Sequence, residues 1–456
     1  MKRPTQKTVH SSKLILLILI QLVTGAFGTS DDITNIWFFG CRWFGGITNM
    51  LSCNCAPEAE EMYIQRNSIP AYDVSNIEIS NCSKVRFGPK SVYDLNNLRQ
   101  ITLNNIQSLV FEANSLEWVG YKDSIDNQER FQVNTPSLKV FVKNSLNVNI
   151  GSHSMVGRIS EINFENVLIE KIDAFAFSNL VQMENLIFTN VQLKNVNSQA
   201  FKRFGTEFMI LDGVKADYLP SRTFLNVTVY RDFIIRNCQF NTLHSGTFRI
   251  NHPTNFAITN SQINDLQGQA FLVSTTGNVI IRNNFFNNVQ DYAFKGITNE
   301  ISRVNTIHFD SNTFGSLNRR SLDLQPQFEA RVSNLNLNQT CDCDSIVEKL
   351  QTDFYDEIRC LYQEEYITVK NFKSQNCSVL AGYYTIMIVV CVAISVISIV
   401  AISFYVYYVL VYKRQKYGCE KGGKAPLSLI VPDGRTYKET ELHVIVEKAD
   451  LLTTDL

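Results

Sequence analysis

Eleven cysteines are the residues of this 456-residue chain best placed for covalent chemistry. Eight fall into two groups of four: Cys41, Cys53, Cys55 and Cys82, then Cys341, Cys343, Cys360 and Cys377. Cys-x-Cys pairs of this kind serve either as thiolate metal ligands or as disulfide partners. The metal reading is weakened because none of the six histidines (His10, His153, His244, His252, His308, His443) lies near either Cys-x-Cys and because the chain's start reads as secretory; nor do any two histidines share a metal-site spacing. The disulfide reading fits two small caps, each with too little core to hold itself together. Spacing alone leaves all three pairings of each quartet open. There is no Gly-x-Gly-x-x-Gly, P-loop or Gly-x-Ser-x-Gly sequence, and the net charge of −1 implies no nucleic-acid partner. A glycan-cleaving enzyme would need paired carboxylates in a groove. Asp212 and Asp310, the candidates, fall several repeat units apart. No catalytic residue, no metal and no cofactor is expected.

The elements between the two quartets are repeats. INFENVLIEKIDAFAF starts at 162, LIFTNVQLKNVNSQAF at 186 and MILDGVKADYLPSRTF at 209; FIIRNCQFNTLHSGTF starts at 233, FAITNSQINDLQGQAF at 256 and VIIRNNFFNNVQDYAF at 279. A degenerate copy starts at 307. Shorter copies are IEISNCSKV from 77, ITLNNIQSL from 101 and VFVKNSLNV from 140. A fixed period of 23 or 24 residues means a solenoid, whose usual function is an extended recognition surface. Each unit opens apolar-x-apolar, which puts two side chains on one face of a short strand. Asn166, Asn190, Asn237, Asn260 and Asn283, or Gly213, then suit a tight turn. Further apolar residues (Ile169 and Ile172 in the first unit) and the closing Phe177, Phe201, Phe224, Phe248, Phe271 and Phe294 complete an inward set. The polar stretch 119–136 reads as an insertion.

This sentence resembles that of the extracellular leucine-rich repeat family, LxxLxLxxNxLxxLxxxAF, over roughly residues 41–377. The resemblance implies an α/β solenoid: a leucine-rich repeat horseshoe with short parallel strands along its concave side. The family's inward Asn corresponds here to Val167, Val191, Val214, Cys238, Ser261, Asn284 and Asn312, so only the last two match. That leaves a right-handed parallel β-helix as the alternative fold. NLNQTCDCDSIVEKL resembles the family's C-terminal cap, which implies Cys341–Cys360 and Cys343–Cys377 bridges. The front quartet resembles its N-terminal cap. Cys238 is left over, as a small apolar residue.

Both chain ends speak to compartment. Lys2, Arg3, Lys7 and Lys13 precede the apolar run 14–23 and small residues up to Gly28, the pattern of a signal peptide. No charge occurs between Lys373 and Lys413, and the apolar run within that gap is long enough to span a bilayer. Tyr383, Tyr384, Tyr405, Tyr407, Tyr408 and Tyr412 lie near its edges, and Lys413, Arg414, Lys416, Lys421 and Lys424 follow. The expected organisation is a signal peptide (1–28), an N-terminal cap (29–82), the repeat array (77–338), a C-terminal cap (339–378), a transmembrane helix (380–412) and a short cytoplasmic tail (413–456). This describes a type I plasma-membrane protein whose ectodomain binds a protein ligand, a second copy of itself included, in adhesion or as a receptor. Innate pattern recognition is the variant reading.

Smaller signals decorate this frame. Sequons stand at Asn81, Asn226, Asn338 and Asn376. The tail ends Thr454-Asp455-Leu456, which fits a PDZ groove on a scaffold. Glu447 with Leu451 and Leu452 matches an acidic dileucine sorting signal, and Cys419 is a palmitoylation candidate. The middle residue of each apolar-x-apolar strand should face outward. That row runs Glu78, Thr102, Phe141, Asn163, Ile187, Ile210, Ile234, Ala257, Ile280 and His308. Ile187, Ile210, Ile234, Ala257 and Ile280 form an apolar stripe and are the candidate partner-binding residues. A polar row flanks it: Glu165, Thr189, Asp212, Arg236, Thr259, Arg282 and Asp310.

Overall fold

The computed structural model describes residues 40–46, 49–55, 61–69, 74–117, 137–343, 352, 354–377 and 379–413. The signal-peptide segment, the insertion 119–136 and the tail from Arg414, with Cys419, Glu447, Leu451, Leu452, Thr454, Asp455 and Leu456, lie outside them.

The repeats wind into a parallel β-solenoid. Alternating apolar residues make the front strands, such as Ile159–Glu165, Met183–Thr189, Asn255–Thr259, Val279–Arg282 and Asn305–Asp310. Left-handed residues turn the chain at the end of each: Asn166 (φ 55°), Asn190 (53°), Gly213 (67°), Asn237 (55°), Asn260 (50°) and Asn283 (54°). Asn tolerates this conformation and Gly adopts it freely, so the Asn–Gly exchange at 213 follows from backbone sterics. A back strand follows, as in Leu168–Ile172, Gln192–Val196, Lys215–Leu219 and Gln239–Leu243. Phe177, Phe201, Phe224, Phe248 and Phe271 then open a third, side strand, and after Phe294 the side strand begins at Ile297. In two adjacent coils this side strand runs straight into the next front strand, giving the long elements Phe201–Asp212 and Phe224–Arg236. Front and side strands belong to one 19-stranded sheet and the back strands to a 14-stranded sheet. The described residues from Met62 to Thr340 are strands and connecting turns, so a second parallel sheet stands behind the front one.

Stacking of coils buries what one coil could not. Ile169, Leu193, Phe240, Ile263 and Phe286 are all within the core, as are Ile172, Val196, Leu243, Leu266 and Val289. The closing phenylalanines stack face to face, with centroids 4.5 Å apart for Phe177–Phe201, 4.4 Å for Phe201–Phe224 and 5.0 Å for Phe224–Phe248. A second column from the front strands stacks likewise, at 5.2 Å for Phe164–Phe188 and 5.0 Å for Phe233–Phe256. Offset ring pairs of this kind add about 0.5–1.5 kcal/mol each beyond the area they bury. The small residue before each closing Phe leaves room for this column; Ala176, Ala200, Ala270 and Ala293 are fully buried.

Each end of the array is stapled. The strand Cys41–Phe44 pairs antiparallel with Met50–Asn54, and a disulfide joins Cys41 to Cys53 across that pair. Met50–Asn54 in turn pairs parallel with Asn76–Ser80, so the first cysteine quartet already supplies a rung of the front sheet. Cys55 is bonded to Cys82. At the other end Cys341 is bonded to Cys360 and Cys343 to Cys377, the pairing the family resemblance implies. There Arg359–Tyr362 extends the back sheet and Glu365–Thr368 closes it antiparallel. Phe354, Ile358, Val369 and Phe372 are buried in this cap.

The chain divides into two compact units, Met1–Ala381 and Gly382–Leu456. A helix runs from Val379 to Tyr407, and Ile386–Tyr412 is long and apolar enough to cross a membrane, with a mean hydropathy of 3.0. The apolar side chains from Ile386 to Val406 are exposed, as are Tyr383, Tyr405, Tyr407, Tyr408 and Tyr412.

Candidate partner-binding face

Parallel pairing aligns the outward row of the front sheet residue by residue. Phe141 pairs with Asn163, Asn163 with Ile187, Ile187 with Ile210, and Ile210 with Ile234. Ile234 then pairs with Ala257, Ala257 with Ile280, and Ile280 with His308. The apolar stripe predicted from the sequence is therefore a continuous column. Adjacent strands are about 4.8 Å apart, so Ile187 to Ile280 extends over roughly 19 Å. All five stripe residues are half-buried, whereas the residues on either side of each point inward and are buried. Ile187 and Ile210 are thus flanked by Leu186, Phe188, Met209 and Leu211, all in the core. Half-burial comes from same-row neighbours, so the cost of replacing these side chains is larger than for fully exposed ones.

The rows beside the stripe are charged but internally neutralised. Lys143 and Glu165 approach to 2.8 Å, Asp212 and Arg236 to 2.8 Å, and Arg282 and Asp310 to 2.9 Å, each between paired strands. Lys139 and Glu161 on the opposite flank are 3.1 Å apart. The Ser333 hydroxyl, then Ser311 and Arg282, hold the Asp310 carboxyl below the usual carboxylate range. Such exposed pairs contribute little stability, on the order of 0–1 kcal/mol, but they leave an apolar strip between rims without strong net charge. The outward side of the back sheet is different. It carries Glu170 paired with Lys194 at 2.8 Å, Asn264 donating to Asn241, and Asn288 donating to Asp265. The outward side of the back strands is mostly polar, with Tyr218 exposed and Phe285 half-buried among the polar side chains.

A feature at the middle of this face was not read from the sequence. Thr206 pairs with Val229, but Phe208 pairs with Asp232, so Tyr230 and Arg231 together oppose Glu207 alone. A bulge of this kind re-aims side chains. Tyr230 is 55% exposed and lies over Gly205, where an added Cβ would come within 2.9 Å of its ring. Arg231 lies 5.1 Å above the Phe208 ring. The signal was available as one extra residue: unit starts at 209 and 233 differ by 24, where the preceding pair differ by 23.

The inward Asn column is also longer than its matching residues suggest. Asn312 Oδ1 accepts from the Asn284 backbone N–H at 3.1 Å, and Asn284 Oδ1 accepts from the Ser261 N–H at 2.9 Å. Ser261 Oγ accepts from the Cys238 N–H at 3.1 Å, and the Cys238 thiol reaches the Leu211 carbonyl. Shorter side chains continue the same role. Cys238 is buried and unbonded to another cysteine, and burial pushes its thiol pKa up to about 12, so it stays protonated and unreactive.

The sequons fall away from the stripe. Asn81 sits at a front-to-back corner, Asn226 in the side wall, Asn338 on the back-sheet strand Asn336–Thr340 and Asn376 beside the Cys343–Cys377 bridge; all four are exposed. Asp212 and Asp310 are each engaged by an arginine and lie on different coils. No protein-family model matches the chain, and no curated protein matches it in sequence.

Proposed function

We propose that this chain is a single-pass cell-surface protein of the leucine-rich repeat kind, whose solenoid lies outside the cell and binds another protein through its front sheet. The observation carrying this reading is the register-aligned column Ile187–Ile210–Ile234–Ala257–Ile280, five apolar residues in line and outward, which the mostly polar back strands do not match. Soluble surfaces rarely keep such a column unless something covers it. The disulfide staples at both ends suit an oxidising compartment. The apolar helix followed by Lys413 favours an outside array and an inside tail. The partner is a protein surface with its own apolar ridge, in adhesion or in receptor assembly; a second copy of the chain qualifies. Catalysis is no part of this reading, because the best-placed carboxylates are committed to ion pairs.

Orientation is tested first. A tag placed after Gly28 should be stained on unpermeabilised cells and a tag before Leu456 only after permeabilisation; the opposite pattern would overturn the reading. The face is tested by Ile210→Lys combined with Ile234→Glu, an opposite-charge pair on adjacent rungs that imitates Lys143–Glu165. The double variant should cost about 1–2 kcal/mol, the loss of a few cross-strand apolar pairs. It should reach the cell surface normally and lose cell–cell or ectodomain binding at least tenfold. Unchanged binding at normal surface levels would rule out the stripe.

A further inference from the structure

We infer that Asn226 carries an N-linked oligosaccharide. The inference rests on the proposed luminal orientation of the array and on the local geometry of one bulge. In the strand Phe224–Arg236, Leu225 pairs with Arg249 but Val227 pairs with Ile250. Asn226 is the residue left over, pushed out of the ladder with its side chain exposed and its backbone left-handed at φ 53°. Asn179 (φ 49°) and Arg203 (φ 54°) stand at the same place, two residues after the closing Phe of the two preceding units, and are also exposed. These three units share a left-handed residue there, which an Asn can supply, whereas the units closing at Phe248 and Phe271 carry Ile250 and Val273 as ordinary strand residues.

What the fold does not require is Thr228. It pairs with Gly205 on one side and Asn251 on the other, so neither neighbouring coil uses a hydroxyl at that rung. Thr228 is half-buried while Val227 between it and Asn226 is in the core. Asn179 and Arg203 are followed two residues later by Val181 and Gly205, so of these three equivalent corners only Asn226 completes an Asn-x-Thr sequence. The contrast with Asn81 is instructive. There the amide donates to Asn54 Oδ1 at 2.9 Å and accepts from Asn105 Nδ2 at 2.8 Å, one rung of an exposed side-chain ladder. Its neighbour Cys82 is tied into a disulfide. The Asn226 amide has no such partner among the described residues and projects from a bulge into solvent.

The transfer adds an oligosaccharide delivered as a lipid-linked pyrophosphate. Nδ2 of Asn226 bonds to the C1 of the first sugar, the C1–oxygen bond to pyrophosphate breaks, one Nδ2 proton is released, and the lipid pyrophosphate leaves. The side wall then bears the glycan, and the front stripe stays bare for its partner.

The test is the full-length chain expressed in cells with a secretory pathway, treated with an amidase that removes N-glycans in ¹⁸O water, and read by peptide mass spectrometry. Conversion of residue 226 to ¹⁸O-labelled Asp is the expected result. Asn226→Gln and Thr228→Val should each remove one glycan from the intact chain, and Thr228→Ser should keep it. Thr228→Val preserves the strand, so its loss of the glycan separates the sequon from misfolding. Unmodified Asn226 in chains glycosylated at Asn81, Asn338 or Asn376 would overturn the site and leave the luminal orientation standing. If all four asparagines are bare and a tag after Gly28 is inaccessible, the orientation falls and the site with it.

Discussion

Leu211→Glu should unfold the middle of the array, while the charge pair at the adjacent Ile210 and at Ile234 leaves it folded. Leu211 is 3% exposed and lines a void of about 10 Å³ with Phe188, Leu193, Phe201, Val214, Leu219, Phe224 and Phe240. Every one of those neighbours is apolar. A cavity of that size is at the margin of holding one water, and a water there would find no polar partners. A carboxylate placed in it could reach neither solvent nor a counter-charge. An unpaired polar group costs about 2–7 kcal/mol on burial, and an ionised one more, against total stabilities of roughly 5–15 kcal/mol. Protonation relieves part of this, so the variant should be less unstable at low pH. Stacked coils bury surface only against their neighbours, so one failed coil opens the coils on both sides. The expected readout is loss of the cooperative thermal transition and retention inside the cell. Leu211→Met, which conserves volume, should cost less than about 1.5 kcal/mol. If Leu211→Glu were as well folded as the Ile210/Ile234 variant, the front strand would not alternate as the structure has it, because one residue of register exchanges the two faces.

That experiment also marks how far the sequence alone could be read. The repeat period, the inward apolar residues and the Asn turns were legible because each copy states them independently. Leu186, Met209, Phe233, Phe256 and Val279 repeat one need, and a need repeated at fixed spacing stands out from noise. The outward row was legible for the same reason, since strand geometry fixes it once the inward row is known. The back sheet was less visible. Its strands, such as Gln239–Leu243, bury only the second and fifth residues, Phe240 and Leu243, with polar residues elsewhere, a spacing of three that a turn or a short helix would also show. The polar column through Asn312, Asn284, Ser261 and Cys238 was hidden by its changing chemistry. Carboxamide, hydroxyl and thiol fill one role there, and only the hydrogen bonds between coils reveal it. The two bulges around Asn226 and Tyr230 were hidden differently. A single extra residue shifts the period by one, and the period alone cannot place it along thirteen residues of continuous strand.

Removing the Cys343–Cys377 bridge should be the most damaging change outside the coils. The two bridges of this cap do unequal structural work. Cys360 already pairs beside Leu337 in the back sheet, and the Cys341 backbone N–H donates to the Leu361 carbonyl at 2.9 Å. Hydrogen bonds therefore hold Cys341 near Cys360 even without sulfur. Cys377 ends a helical segment that follows Val369–Phe372, and its bridge closes the longer loop, with a sequence separation of 34 against 19. The chain-entropy estimate grows only with the logarithm of loop length, so the two differ by roughly 0.5 kcal/mol from that source. The larger difference is what each bridge restrains. Loosening Cys377 frees Phe372 and Val369, which are buried with Ile358 and Phe354 at the end of the array. Phe354 in turn lies 5.9 Å from the Phe309 ring of a front strand, so the loss reaches the last coils. Cys343→Ser should lower stability by about 2–5 kcal/mol, the usual range for a native disulfide. It also leaves Cys377 as a free thiol able to form wrong bridges. The double variant Cys343→Ser, Cys377→Ser removes that thiol while keeping the entropic loss. It should melt at the same lowered temperature as the single variant but reach the cell surface in larger amounts. Equal surface levels for both would mean that retention follows from unfolding alone. A melting temperature unchanged from the parent chain would show that the strands and buried phenylalanines hold the cap without its outer bridge.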